Sequence, residues 1–233
     1  MKKTFFYLIS AAVLTACNNT NETESITSEN PTTSTASRRS CPSEEIRAEL
    51  LKSDASARQR YANIESAVQS FAGKVLADGS VDIPVVVNVI YKTSAENISD
   101  ARIAEQIAIL NADFAGTNTD ASKIPTEFSG VKAGDTKVRF HLIKTVRKST
   151  TKTKWGTNDA MKKASTGGID ATTPSSYFNL WVVGNMGGVL GYATFPESAG
   201  LWDDGVVIAA PYFGKTGATS PYNLGRTATH EVG

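Results

Sequence analysis

The apolar positions of this chain fall into separate stretches, each with its own period. Phe5 to Leu14 is an apolar run interrupted at Ser10, behind Lys2 and Lys3, too short to span a bilayer as a mature helix. Asn18 to Arg39 has almost no large apolar residue. Its Asn, Thr, Ser and Glu cannot bury enough surface to offset chain entropy, so a disordered tether is expected. From Pro42 the period is helical: Ala57, Tyr61, Ile64, Val68 and Phe71 recur at steps of four and three. Pro42, Glu44 and Glu45 suit a first turn and Gly73 a stop, which predicts one helix over Pro42 to Phe71.

The period then changes. Ile83 to Ile90 is an almost unbroken β-branched run with Pro84 near its start, the pattern of a strand buried on both faces. Ser99 suits the cap of a helix carrying Ile103, Ile107, Leu110 and Phe114 on one face. Asp113 to Lys132 reads as loop and turn. Thr136 to Ile143 alternates, with Val138, Phe140 and Leu142 on one face and Lys137, Arg139 and His141 on the other. Lys144 to Ser176, basic and then rich in Gly and Thr, predicts loop with a short helix near Asn158 to Ala164. Tyr177 to Val183 and Gly205 to Ala210 are two more strands, separated by the Gly-rich stretch Gly187 to Pro196. Tyr222 to Gly233 runs from loop into helix. This order of elements predicts an α+β fold.

Composition adds limits. The chain has 233 residues, net charge +1 and 40% hydrophobic residues, which fits one ordinary domain plus non-globular sequence. Near-neutrality gives no sign of a nucleic-acid partner. The basic positions Lys144, Arg147, Lys148, Lys152 and Lys154 lack interleaved aromatics and read as a solvated face. Leu14-Thr15-Ala16-Cys17 resembles the bacterial lipoprotein box, in which the Cys becomes the lipidated N-terminus. It implies export and a membrane anchor on Cys17; an ordinary signal peptide is the alternative. Cys41, the other of two Cys, would then have no disulfide partner within the chain.

There are two His. His141 lies mid-strand on the polar face, as a solvated or sheet-pairing residue. His230 is followed by Glu231 on a run that reads as helix, which is how H-E-x-x-H begins. In that motif two His at i and i+4 share one zinc, and the Glu polarises a zinc-bound water. A bare His-Glu is more often two surface residues, and Gly233 stands one position before the second His.

The surroundings sharpen the reading. Asn223 to Gly233, N-L-G-R-T-A-T-H-E-V-G, resembles the start of the active-site helix in the pappalysin family of metzincin metallopeptidases. That family continues the motif as H-E-x-G-H-x-x-G-x-x-H, and Val232 and Gly233 fit its third and fourth positions. The resemblance implies that 81–233 is the N-terminal half of a zincin-like catalytic domain. Such a domain has a twisted mixed sheet, a backing helix and an active-site helix. Before it would stand a signal peptide (1–17), a tether (18–40) and a helical propeptide (41–80). It makes His230 a zinc ligand and Glu231 the general base, with protein or peptide substrates. Calcium is implied as well, without residues to assign to it. Gly187 to Pro196 resembles the upper rim of the cleft, whose Gly188, Val189, Leu190, Gly191, Tyr192 and Ala193 would pair with substrate main chain. A propeptide Cys in this family and its relatives can take the zinc's open position. Arg39-Ser40-Cys41-Pro42 makes Cys41 the candidate, with Pro42 where a glycine is expected; a chance free thiol is the alternative. The remaining ligands would lie beyond Gly233, so the polypeptide as it stands is expected to be inactive. Two other readings stay open: a non-catalytic surface lipoprotein binding peptides at its Gly-rich sheet edge, and an exported α+β domain with no site.

Overall fold

Alternate residues of the central strands feed two hydrophobic layers, one on each face of a single sheet. The computed structural model describes residues 42–68 and 77–233. Its elements are α1 (Ser43–Ser53), α2 (Ala55–Val68), β1 (Val81–Tyr91), α3 (Asp100–Phe114), β2 (Val138–Ser149), β3 (Phe178–Val183), β4 (Gly191–Ala193), β5 (Val206–Ala209) and α4 (Arg226–Val232). The strands form one sheet in the order β2-β1-β3-β5-β4. Every pairing is parallel except β4 with β5, which is antiparallel at the edge. The fold is thus the mixed α+β sheet that the sequence predicts.

One face carries Val85, Val87, Val89, Leu180, Val182, Val206 and Ile208, packed with Ile103, Ile107 and Leu110 of α3 and Ala228 of α4. The backing helix and the candidate active-site helix therefore share a side. The other face carries Ile90, Trp181, Val183, Tyr192 and Val207 with Trp155, Met161 and Met186. Burial from both sides explains the unbroken apolar run of β1. Pairing with β3 begins at Val85, so Pro84 sits where β1 has β2 as its strand neighbour and β3 is not yet paired. The Ser99 hydroxyl accepts the Arg102 N–H at 3.2 Å and caps α3 as expected.

Three expectations need correction. The single helix over Pro42 to Phe71 is two helices, because Asp54 is extended (φ −115°, ψ 109°); its carboxylate accepts the Ser56 N–H at 2.7 Å and starts α2 afresh. Phe71 lies outside the described residues. The strand ending at Ile143 runs on to Ser149, and its alternation breaks at a bulge: Val85 pairs with Leu142 but Val86 with Lys144, skipping Ile143. Leu142 is therefore 37% exposed rather than inward. The basic run hid this half-strand because its cations have partners. Arg147 donates to the Asn97 side chain and the Ile98 carbonyl, and Lys148 to the Gly168 carbonyl. The short helix near 158–164 is two 3-10 turns, Ala160–Lys162 and Ala164–Thr166.

Candidate active site

α4 is held in place mainly by the polar side of α3. Gly225 precedes it in the left-handed conformation (φ 74°, ψ 7°), and a Cβ there would stand 2.6 Å from Ile109 Cδ1, so glycine is required twice over. Gln106, fully buried between apolar neighbours, donates to the Gly225 carbonyl at 3.1 Å and accepts the Gly214 N–H at 2.7 Å. Arg102 donates to the Phe213 and Ala210 carbonyls. In the first turn of α4, Arg226 pairs with Asp113 and Asp120, and Thr229 donates to Asp113 at 2.6 Å. A cation at the positive end of a helix dipole is unfavourable by itself. These two carboxylates offset that, and the misplaced charge was the one sequence signal of their presence.

So fixed, α4 presents His230 and Glu231 to a cleft of about 590 Å³, lined also by Ala193 at the end of β4 and by Thr194 and Phe195 beyond it. His230 is exposed and Glu231 half-buried. The rim glycine has a specific job here. A Cβ on Gly191 would lie 3.2 Å from Glu231 Cγ and 2.8 Å from the Val207 carbonyl oxygen, so only glycine lets the carboxylate stem lie against the strand. Of the six rim positions, Gly191, Tyr192 and Ala193 form the strand; Leu190 extends the ladder by accepting the Ala209 N–H at 2.8 Å. Gly188 is in the preceding turn with φ 100°, and Val189 follows it.

The cleft is occupied by the chain's own α1. Ser43 Oγ accepts the Ala193 N–H at 3.0 Å and donates to Glu231 Oε2 at 3.2 Å. Since β5 takes the inner side of β4, the Ala193 N–H marks the side that faces the cleft. One hydroxyl thus joins the rim strand to the acid on α4.

Sequence reasoning missed a charged cluster behind the rim. Lys162 is fully buried, 2.9 Å from Asp159 Oδ1 and donating to the Asp203 carbonyl at 2.6 Å. The Tyr192 hydroxyl also donates to Asp159, at 2.8 Å. Burial pulls the Lys162 ammonium below its ordinary pKa, with Asp159 opposing. Burial likewise pushes Asp203 and Asp204 up. The cluster ties the back of β4 to the loop before β5. His141, as expected, is a surface residue, with Nδ1 2.6 Å from Asp82 Oδ1. Cys17 and Cys41 lie outside the described residues.

A catalytic zinc takes three protein ligands and keeps an open position. Among the described residues, no group of three His, Cys, Asp or Glu side chains stands together in a way that holds a metal. His230 offers an imidazole and Glu231 a carboxylate to the same cleft.

Comparison with known proteins agrees with this geometry. A model of the prokaryotic membrane lipoprotein lipid attachment site matches residues 1–18. The chain is 32% identical over 146 residues to an extracellular metalloprotease of Uncinocarpus reesii, covering 58% of this chain and 44% of that one. A promirolysin variant of Tannerella forsythia superposes with a TM-score of 0.73 at 35% identity, over 83% of this chain and 67% of the other. This chain belongs to the pappalysin family of metzincin metallopeptidases. Mature Tannerella forsythia mirolysin in complex with a cleaved peptide is also similar, with 40% identity, a TM-score of 0.62, and 66% of this chain and 62% of that one covered. The chain spans under half the length of its fungal relative. Membership of the family carries a metal cofactor with it, and the lipid attachment site places the protein among exported chains. The alternative of a non-catalytic surface lipoprotein finds no support in these matches.

Proposed function

We propose that the protein carrying this sequence is a lipid-anchored zinc metalloendopeptidase precursor, cleaving proteins or peptides. The observation that supports this best is the meeting of His230 and Glu231 under the rim strand, with the Ser43 hydroxyl bridging Glu231 to the Ala193 N–H. His230 is assigned as one zinc ligand, and zinc when bound supplies a water acidified towards neutral pH. Glu231 takes and returns a proton at Oε2, the atom that Ser43 now contacts. The outward donors of the rim, Ala193 N–H first, hold substrate main chain in an extended strand, with Gly188 to Tyr192 shaping its approach. Region 41–80, which includes α1 and α2, is the propeptide. Its Ser43 stands where both substrate and base must act, so the precursor is latent while the segment is in place. Cys41, two residues before Ser43, is assigned as a further latency ligand to the zinc. Cys17 is the lipid attachment point. Calcium is assigned to the complete protein.

The test uses the complete gene product. It should bind zinc and cleave peptides, and Glu231→Gln should keep the metal while losing on the order of 10²-fold or more in turnover. Unchanged turnover in that variant would remove Glu231 from the mechanism. The 233-residue polypeptide, with His230 as the one imidazole lining the cleft among the described residues, should show no peptidase activity.

A further inference from the structure

Ala193 is the residue of β4 whose N–H faces the cleft, and the strand that carries it is three residues long. Its two neighbours in the chain are held from behind. Tyr192 is fully buried in the hydrophobic layer opposite α4, and its hydroxyl donates to Asp159 at 2.8 Å. Asp159 in turn pairs with Lys162 Nζ at 2.9 Å. Thr194 is bound to Gly205. Its N–H and its hydroxyl donate to the Gly205 carbonyl at 3.2 and 3.1 Å, and the hydroxyl accepts the Gly205 N–H at 2.9 Å. The Lys162 ammonium reaches the same segment, donating to the Asp203 carbonyl at 2.6 Å and the Gly205 carbonyl at 3.5 Å. Both flanks of Ala193 therefore lead to one buried ammonium. Every hydrogen bond in this chain of contacts lies within 159–205, and none uses a group from α1 or α2.

Stability alone does not account for this arrangement. Apolar side chains of similar volume often match or better a buried ion pair, because the cost of desolvating two charges offsets their attraction. Here the Lys162 side chain is 0% exposed and that of Asp159 16%. Asp159 also stands in the left-handed region, at φ 57°, where residues other than glycine are uncommon. What a charged pair supplies is direction, since its hydrogen bonds are short and fix donor against acceptor. An edge strand needs that direction most, having a ladder on one side only. Its distance from α4 is set by what holds it from behind. The stem of Glu231 lies against Gly191, so a shift of β4 moves the outward N–H of Ala193 relative to that carboxylate.

We propose that Lys162 and Asp159 are positioning residues for substrate main chain. They act through Tyr192 on one flank of Ala193 and through Asp203 and Gly205 on the other. Together they hold the Ala193 N–H where an extended peptide meets it on pairing with β4. The role toward substrate rests on the peptidase reading above; the hold on the edge strand does not. Neither residue lines the cleft, and neither transfers a proton. Their effect is on binding. A main-chain hydrogen bond made alike in the ground state and the transition state raises KM when it is lost and leaves kcat in place.

Two variants and two measurements test this. Tyr192→Phe removes one hydroxyl and leaves the Lys162–Asp159 pair intact. Lys162→Met/Asp159→Asn removes both charges and keeps a residue suited to positive φ at 159. Val183→Ala is the control, trimming the same hydrophobic layer without removing a polar group. In the 233-residue chain, hydrogen exchange is followed at the Thr194 and Ala209 amides, whose bonds to Gly205 and Leu190 hold β4 to its neighbour. Both should exchange about fivefold or more faster in the two variants, the scale of one net hydrogen bond, and at the parent rate in the control. Exchange no faster than in Val183→Ala overturns the hold on the edge. In the matured complete enzyme, a peptide long enough to pair with β4 is then compared across the same variants. KM should rise about fivefold or more in Tyr192→Phe and in the double variant, with kcat within about twofold. Val183→Ala should keep the parent KM. An unchanged KM beside a quickened edge, or a fall in kcat alone, overturns the role toward substrate. Either variant decides if the other does not fold. Absence of all cleavage by the unmodified enzyme refutes the peptidase reading and leaves the exchange rates to decide the hold on β4.

Discussion

Gly191→Ala tests the close approach of the rim strand to Glu231. The added Cβ would stand 2.8 Å from both Ile208 Cδ1 and the Val207 carbonyl oxygen, and 3.2 Å from Glu231 Cγ. Ile208 Cδ1 is the tip of a side chain and can rotate aside. The Val207 oxygen is backbone of the strand that pairs with β4, so relief there requires the edge strand to lift. Overpacking of this kind costs about 1–3 kcal/mol. In a chain of this size each kcal/mol lowers Tm by about 2–4 °C. Urea unfolding of the 233-residue chain measures the loss directly. A second substitution tells which contact yields. Ile208→Val should cost about 0.5–1.5 kcal/mol alone, and distinctly less beside Gly191→Ala, because it removes the clashing methyl. Gly188→Ala is the contrast: no atom lies within 4 Å of its added Cβ, and its φ of +100° makes backbone strain the sole penalty, with no coupling to Ile208 expected. A Gly191→Ala variant within about 0.5 kcal/mol of the parent would refute the tight packing of Glu231 against the rim.

Two further outcomes are expected. Lys162→Met leaves Asp159 without its buried cation and the Asp203 carbonyl without its short ammonium hydrogen bond; the loss should be about 3–5 kcal/mol by urea unfolding, with part regained in Lys162→Met/Asp159→Asn. Burial pushes the Glu105 carboxyl up, but donors from Thr216 and Lys215 outweigh it and hold the pKa below the ordinary 4.5. Its contribution is therefore present above the ordinary value and lost as pH falls through the depressed folded one. Amide exchange at Lys215 and Thr216 should accelerate over that acid range, and Glu105→Gln should show no such step.

The sequence exposed the elements whose burial is uniform and left obscure those that depend on distant partners. β1 was legible because both its faces are covered, and α3 because Ser99 caps an intact apolar stripe. The placing of His230 and Glu231 together on a helix was legible because they are adjacent in sequence. The second half of β2 was not, since Arg147 and Lys148 look solvated until the loops that accept their hydrogen bonds are in place. The break between α1 and α2 turns on one carboxylate, Asp54, inside a continuous helical stripe. Arg47 and Glu197, an ion pair, are 150 positions apart, and no local period links them. Nor does any pattern show that Ser43, at the head of a surface helix, reaches Glu231.

The two rims of the sheet differ in what they permit. β2 presents twelve residues at one edge, an invitation to another chain's strand. It is guarded by the bulge at Ile143, by the Asn111 amide that occupies both backbone groups of Phe140, and by Lys137 and Arg139. β4, at the other edge, lacks such guards but is only three residues long, about 10 Å of strand. A rim that short can register one guest segment but cannot template a growing ladder of its own copies. An edge of that length can stay uncovered by further strands without becoming a seed for self-association.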